Sequence, residues 1–365
     1  MSELVDLFDA ARPVRPGEEI DTVTIGRWLA RVAPTFNGPI AVRQFPRGFS
    51  NLTYLLTVGE QELVLRRPPR GVGKGNAHDM GREYRILVAL HERGGKVPRP
   101  IAFCEDESVL GTPFYVMERV RGLILRQVPP PGLDLGPATM RALSEAFVDA
   151  LVEIHRMPID AAGIAELGHP EGYVARQVSG WTKRYTAART DDIADMESVA
   201  RWLAANQPAE SGAALIHNDF KYDNIVLDPA DVTRIVAVLD WEMATVGDPL
   251  MDLGTSLGYW VEPGDPIEIR SLGIGLTALP GNLTRSELWA RYGLRAGRDV
   301  GSPVFYYAFG LFKISVIAQQ IYARFVKGLT TDERFGKLIH GVRAMAHTAA
   351  RAADAGRIDR LGDTQ

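Results

Sequence analysis

Between His217 and Asn224 the chain reads His-Asn-Asp-Phe-Lys-Tyr-Asp-Asn, a spacing H-x-D-x-K-x-x-N whose residue types suit phosphoryl transfer. A carboxylate at Asp219 can orient an attacking hydroxyl and accept its proton. A carboxamide at Asn224 can bind a metal, and a second carboxylate, Asp240, can hold metal and phosphates. An isolated H-x-D would read as acidic turn residues in a solvated hairpin. The full string, with the acid correctly placed downstream, is far harder to obtain by chance.

Three short apolar runs must position these groups: Ala213–Ile216, Ile225–Leu227 and Ile235–Leu239, the last ending at Asp240. Runs of this length, rich in Val, Ile and Leu and broken at Asp228-Pro229, predict strands joined by tight turns. Further back, Asp21 to Val32 has the apolar spacing of a helix. Ile40–Arg43 and Leu52–Val58 predict a strand pair, and Glu62–Pro68 a third strand with Arg66 and Arg67 on opposite faces. Arg82 to Leu90 predicts a helix, and Pro113 to Val120 a strand after one opening at Val97. From about residue 123 helices dominate: Ala138–Met157, Glu171–Tyr185, Pro249–Trp260, Arg285–Tyr292, Val304–Val326 and Asp332–Arg351. Arg70-Gly71-Val72-Gly73-Lys74-Gly75 fails the P-loop pattern, since Gly75 follows the lysine and Pro68 stands at the first glycine position.

At 365 residues the chain is long enough for two cores. Its 46% apolar and 24% charged residues are ordinary for a globular protein. A net charge of -4 argues against nucleic acid as the main partner. One cysteine, Cys104, excludes a disulfide framework and reads as a small buried hydrophobe. The first residues lack the basic-then-apolar pattern of a signal peptide, and no unbroken apolar run approaches membrane-spanning length, so a cytoplasmic enzyme without a membrane partner is expected.

The His217–Asn224 string, Asp240-Trp241-Glu242, and Gly247-Asp248-Pro249-Leu250-Met251-Asp252-Leu253 together resemble the kinase-like phosphotransferases. Within them the chain is most similar to the aminoglycoside phosphotransferase and choline kinase group. The one departure is Asn218, where that group usually has glycine. Gly172–Gln177, Tyr306–Phe309 and Phe312-Lys313 narrow the resemblance to a branch associated with acyl-CoA dehydrogenases. The resemblance covers nearly the whole chain and implies an α+β, two-lobed kinase-like fold. It implies an N-terminal lobe over 1–117 with an antiparallel sheet, a hinge at 118–122, and a helical lobe over 123–365. The catalytic loop would be 217–224 and the metal segment 240–242.

The resemblance also implies roles. ATP and Mg²⁺ would be the cofactors. Ser50 and Asn51 would lie in a phosphate-covering loop, Arg66 would grip the phosphates, and Glu83 would pair with Arg66. Glu118 and Val120 would meet adenine, and Gly122 would end the hinge. Asp219 and Lys221 would be catalytic, with Asn224 and Asp240 on the metal. The reaction implied is transfer of the γ-phosphoryl group of ATP to a hydroxyl of a small molecule. Trp181, Tyr185, Trp260, Tyr306, Tyr307 and Phe309, beside Lys183, Arg184 and Lys313, hint at a hydroxy-acid or hydroxyacyl thioester; ordinary core is an equally good reading of those aromatics. An aminoglycoside or choline-like amino-alcohol acceptor is the alternative, as is a nucleotide-binding protein without turnover. A protein kinase fits less well, because Gly247–Leu253 follows Asp240 too soon for an activation segment.

Overall fold

The computed structural model describes residues 10–46, 51–69, 79–129, 132–160, 163–330 and 332–362. Two compact units emerge. The first comprises Met1–Ile124, Ala161–Ile164 and Asn224–Ala244; the second comprises Leu125–Asp160, Ala165–Asp223 and Thr245–Gln365. The expected boundary at 118–122 is close to the first break at Ile124. The stretch 224–244, which the sequence reading assigned to the helical part, groups instead with the first unit.

The first unit opens with α1, Thr22–Val32, capped by the Asp21 carboxylate, which accepts from the amides of Val23 and Thr24. Its apolar face buries Ile25, Trp28 and Leu29. Strands β1 (Ile40–Gln44), β2 (Leu52–Val58) and β3 (Gln61–Arg67) follow, then helix α2 (Met80–His91). Strand β4 (Pro100–Cys104), the short helix α3 (Glu107–Leu110) and strand β5 (Phe114–Glu118) complete the series. The five strands form an antiparallel sheet in the order β1-β2-β3-β5-β4. One core joins α1 to this sheet through Trp28, Tyr54, Leu56, Leu63, Leu65, Phe114 and Val116. Cys104 is buried in it.

The second unit starts with α4 (Pro137–His155), α5 (Tyr173–Ala188), α6 (Ala194–Ala205) and strand β6 (Ala214–Ile216). The chain then returns to the first unit for a hairpin of β7 (Ile225–Asp228) and β8 (Asp231–Val238). Pairing between Leu123 and Leu227, and the bond from the Val238 amide to the Lys96 carbonyl (2.7 Å), attach the hairpin there. Strand β9 (Thr245–Gly247) pairs with β6, and helices α7 (Pro249–Gly258), α8 (Ile267–Arg270), α9 (Arg285–Ala296), α10 (Val304–Val326) and α11 (Leu338–Ala355) complete the chain. A 3-10 turn, Glu333–Lys337, precedes α11 where the sequence reading had continuous helix.

Helix α10 is 23 residues long and apolar enough to cross a membrane by length and composition, although Lys313 interrupts its apolar run. Its apolar window is 78% buried within the fold, which identifies it as a core helix. It crosses α7 at two glycines. A β-carbon on Gly310 would lie 2.1 Å from the Gly254 carbonyl oxygen, and one on Gly254 would lie 2.4 Å from that of Tyr306. Backbone cannot yield as a side chain can, so Gly310→Ala should lower stability by about 2–3 kcal/mol. Chemical denaturation measures this; an unchanged midpoint would show that the helices separate freely.

Candidate active site

In the first unit the chemistry gathers around Arg66. Strand β3 pairs Arg66 with Thr53 on one side and Tyr115 on the other. Its guanidinium donates to Glu83 on α2 (2.8 Å), to Asp240 (3.0 Å) and to Glu242 (3.3 Å). Asn51 donates to the same Glu242 oxygen at 2.7 Å. Arg67 has a different role: it donates to the Tyr54 hydroxyl (2.8 Å) and the Glu18 carbonyl (3.1 Å). Three carboxylates, from two stretches of the chain, therefore meet at the Arg66 guanidinium. Burial pushes the Glu83 carboxyl up, against the pull of Arg66.

Asp240 follows β8 in the left-handed region, at φ 66. Its carboxylate caps no helix and is about one-third exposed, so it is the accessible acid of the three. The hairpin sets Asn224 next to it: the Leu239 amide donates to the Asn224 carbonyl at 2.8 Å. A carboxamide and a carboxylate are hard oxygen donors suited to Mg²⁺ that shares its remaining positions with phosphates and water. Among the described residues no group of three or more His, Cys, Asp or Glu forms an all-protein metal cage.

Glu118 ends β5 with its side chain paired to Arg99 and its amide committed to the Arg99 carbonyl at 2.9 Å. Val120 is half-buried in a small apolar patch with Ile124, Val226 and Ala237. Gly122 lies so close to the hairpin that a β-carbon would meet Val226 at 2.3 Å and the Leu227 carbonyl at 2.5 Å. Ser50, expected with Asn51 in the phosphate loop, lies outside the described residues, as does Gly48.

The second unit holds Asp219 and Lys221. The lysine ammonium donates to both Asp219 oxygens, at 3.0 and 2.8 Å, and sits 4.5 Å from the centre of the Tyr259 ring. Phe220 turns inward and packs on Phe147 at 4.5 Å. Burial, helped by the charge of Asp219, pushes the Tyr259 phenol upward, so it stays neutral.

The loop's backbone is fixed from outside. Asp252 on α7 is fully buried and accepts from the amides of His217 (2.6 Å) and Asn218 (2.7 Å). Its Oδ2 also lies 3.1 Å from His155 Nε2, and the Asp219 amide donates to His217 Nδ1 at 3.2 Å. Asp252 and Glu242 lie inside the sequence motifs, but nothing in the sequence marks a role for either. Asn218, the departure from the usual glycine, has φ 67 and binds Lys313. What the sequence does show is an acid amid the apolar residues of α7, and a glycine position filled by a residue with a β-carbon.

Of the two readings open for the aromatic residues, a hint of the acceptor or ordinary core, their burial supports core. Trp181, Tyr185, Trp260, Tyr306, Tyr307 and Phe309 are all buried, Lys313 is buried with them, and Lys183 and Arg184 lie on the surface.

The model of the phosphotransferase enzyme family matches residues 41–290. This chain belongs to the phosphotransferase enzyme family. It is 35% identical to mouse acyl-CoA dehydrogenase family member 10 over 343 residues, which is 92% of this chain but 32% of that protein. The chain thus spans about a third of that relative's length. The crystal structure of a putative aminoglycoside phosphotransferase from Ralstonia eutropha is similar at TM-score 0.76 and 32% identity, covering 92% of this chain and 99% of that one. A thermostable aminoglycoside phosphotransferase mutant, solved with AMP-PNP and hygromycin B, shares the fold at TM-score 0.57 and 15% identity, over 90% and 98% of the two chains. The α+β kinase-like fold expected from the sequence is the fold observed.

Asp252 makes the family's loop testable through stability. Burial alone would raise its carboxyl; the His155 hydrogen bond and the bond from the His217 amide hold it below the ordinary 3.8. The unfolded chain therefore takes up the proton first, and the stabilisation is present above about pH 4 and lost as pH falls through the lowered folded value. Asp252→Asn should cost about 2–4 kcal/mol at neutral pH, because one amide oxygen cannot serve all three donors. The cost should shrink in acid. Urea denaturation across pH checks both; a pH-independent penalty would remove the ionised carboxylate from this account.

Proposed function

We propose that this phosphotransferase-family protein moves the γ-phosphoryl group of ATP to a hydroxyl of a small molecule, with Mg²⁺. The observation that carries the reading is the arrangement of Asp219, a carboxylate pinned by Lys221 on a loop whose amides are tied to buried Asp252. Asp219 orients the acceptor hydroxyl and takes its proton. Lys221 fixes the carboxylate's orientation and brings positive charge beside the transferring group. Arg66, braced by Glu83, grips phosphate oxygens, as a guanidinium can do bidentately. Asn224 and Asp240 hold the metal, and the segment from Glu118 to Gly122 meets the base beside the apolar Val120 patch. When bound, Mg²⁺ supplies charge neutralisation on the phosphates. Positioning and electrostatics do most of the work in such a transfer.

For the acceptor we favour a hydroxy-acid or hydroxyacyl thioester. The mouse relative's name places a similar segment in an acyl-CoA dehydrogenase family member. A polycationic acceptor would need several uncommitted acids. The acidic stretch Asp191–Glu197 is already engaged: Arg189 pairs with Asp192 and Glu197, Arg343 with Asp191, and His347 lies 3.1 Å from Asp195.

Asp219→Asn should retain nucleotide binding and lose transfer by roughly 10²-fold or more, the scale of a general base. Wild-type turnover in that variant would end the assignment. The acceptor is tested by kcat/KM for a panel of hydroxy-acids, their thioesters, choline and kanamycin under one set of conditions. Preference for the anionic hydroxy compounds is expected; preference for the cations would reverse the acceptor reading and leave the transfer reaction standing.

A further inference from the structure

Asn218 precedes Asp219 with φ 67, a conformation that crowds any β-carbon, though Asn tolerates it better than most residues. Its neighbours explain how it is held. The Lys313 ammonium, on α10, donates to the Asn218 carbonyl at 2.8 Å, to its side-chain oxygen at 3.1 Å and to Thr255 Oγ1 at 3.5 Å. Three donors thus find three acceptors, the condition under which an ammonium can be buried. Lys313 is 2% exposed and lies 5.8 Å from the centre of the Trp181 ring. The Asn218 carboxamide also reaches the Tyr173 hydroxyl, at 3.3 Å from its nitrogen.

We propose that Lys313 is a positioning residue for the acceptor-side loop: it stabilises the left-handed turn at Asn218 that sets Asp219. This rests on the transfer reading only for its consequence in turnover. A salt bridge would have been the ordinary way to bury a lysine, but here the acceptors are a carbonyl, a carboxamide and a hydroxyl. The lysine grips the one residue of the loop whose backbone is strained. The charged groups that bear on it are Asp252 on α7, Asp219 and Lys221 on the loop, and Arg184 on α5. Burial outweighs the pull of the two acids and brings its ammonium down to about 8. A neutral amine has two hydrogens for three acceptors, so the grip weakens as pH rises past that value.

The test is a double-mutant cycle of Lys313→Met and Asn218→Gly, because glycine needs no help at φ 67. Protection of the 217–219 amides against hydrogen exchange is read without ATP or acceptor, and turnover is read separately with the best acceptor of the panel above. Lys313→Met should lower amide protection and kcat by about tenfold, the scale of a left-handed penalty, with the KM for ATP unchanged. Adding Asn218→Gly should restore both to within about threefold of the Asn218→Gly single variant. Protection in the wild type should fall above about pH 8, and in Asn218→Gly it should not. That single variant decides the matter if Lys313→Met fails to fold. A double variant as impaired as Lys313→Met, or an equal alkaline loss in Asn218→Gly, would overturn the proposal. If the exchange results hold while no protein in the set transfers phosphate, the positioning role stands and the reaction reading fails.

Discussion

The loop that carries Asp219 takes its shape from one buried carboxylate. Asp252 is inaccessible to solvent, and a carboxylate so placed is costly unless its lone pairs are filled. Two of its partners are consecutive backbone amides, those of His217 and Asn218; the third is the His155 imidazole, whose other nitrogen lies 2.7 Å from the Tyr292 hydroxyl. The loop therefore does not depend on a ladder of its own. Its conformation is dictated by α7, which Asp248 caps by accepting from the Leu250 and Met251 amides. The sequence Gly-Asp-Pro-x-x-Asp-Leu thus couples a helix start to a loop anchor within one short motif.

The Arg66 cluster in the first unit solves a different problem. There Arg66 bonds to Glu83, Asp240 and Glu242, and of these acids Asp240 stays partly exposed. Asn51 offsets part of the charge at Glu242 by donating a hydrogen bond, and Arg82 donates to the carbonyls of Glu242 and Ala244 just beyond. A buried guanidinium tied to several carboxylates from different elements is the kind of perturbed cluster that marks a candidate functional site.

Much of this was legible in the chain. The strands and helices that carry the site announced themselves by period, and Val304–Val326 was placed to the residue, because long apolar periodicity survives tertiary context. Arg66 was separable from Arg67 because alternate residues of a strand face opposite ways, and the two arginines do reach different partners. The roles of Asp252 and Glu242 were not legible, since each acts on a residue distant in sequence, and charge pattern alone does not show which acid is buried. The aromatic residues stayed ambiguous for a related reason: composition tells that rings are present, not whether they line a cavity or fill a core.

Local rules are broken at the residues that the sequence motifs single out. Among the described residues, three with a β-carbon adopt positive φ, and two of them are Asn218 and Asp240. Each sits beside or at a group assigned to the reaction, and each is held by partners from elsewhere in its unit: Lys313 and Asp252 for the first, Arg66 for the second. Strain of this kind persists only when the surroundings over-determine it. A glycine at 218 would have removed the strain together with the need for a buried lysine. That the chain keeps both, at the residue preceding Asp219, is best understood as a loop made rigid by opposed constraints rather than one merely allowed to turn.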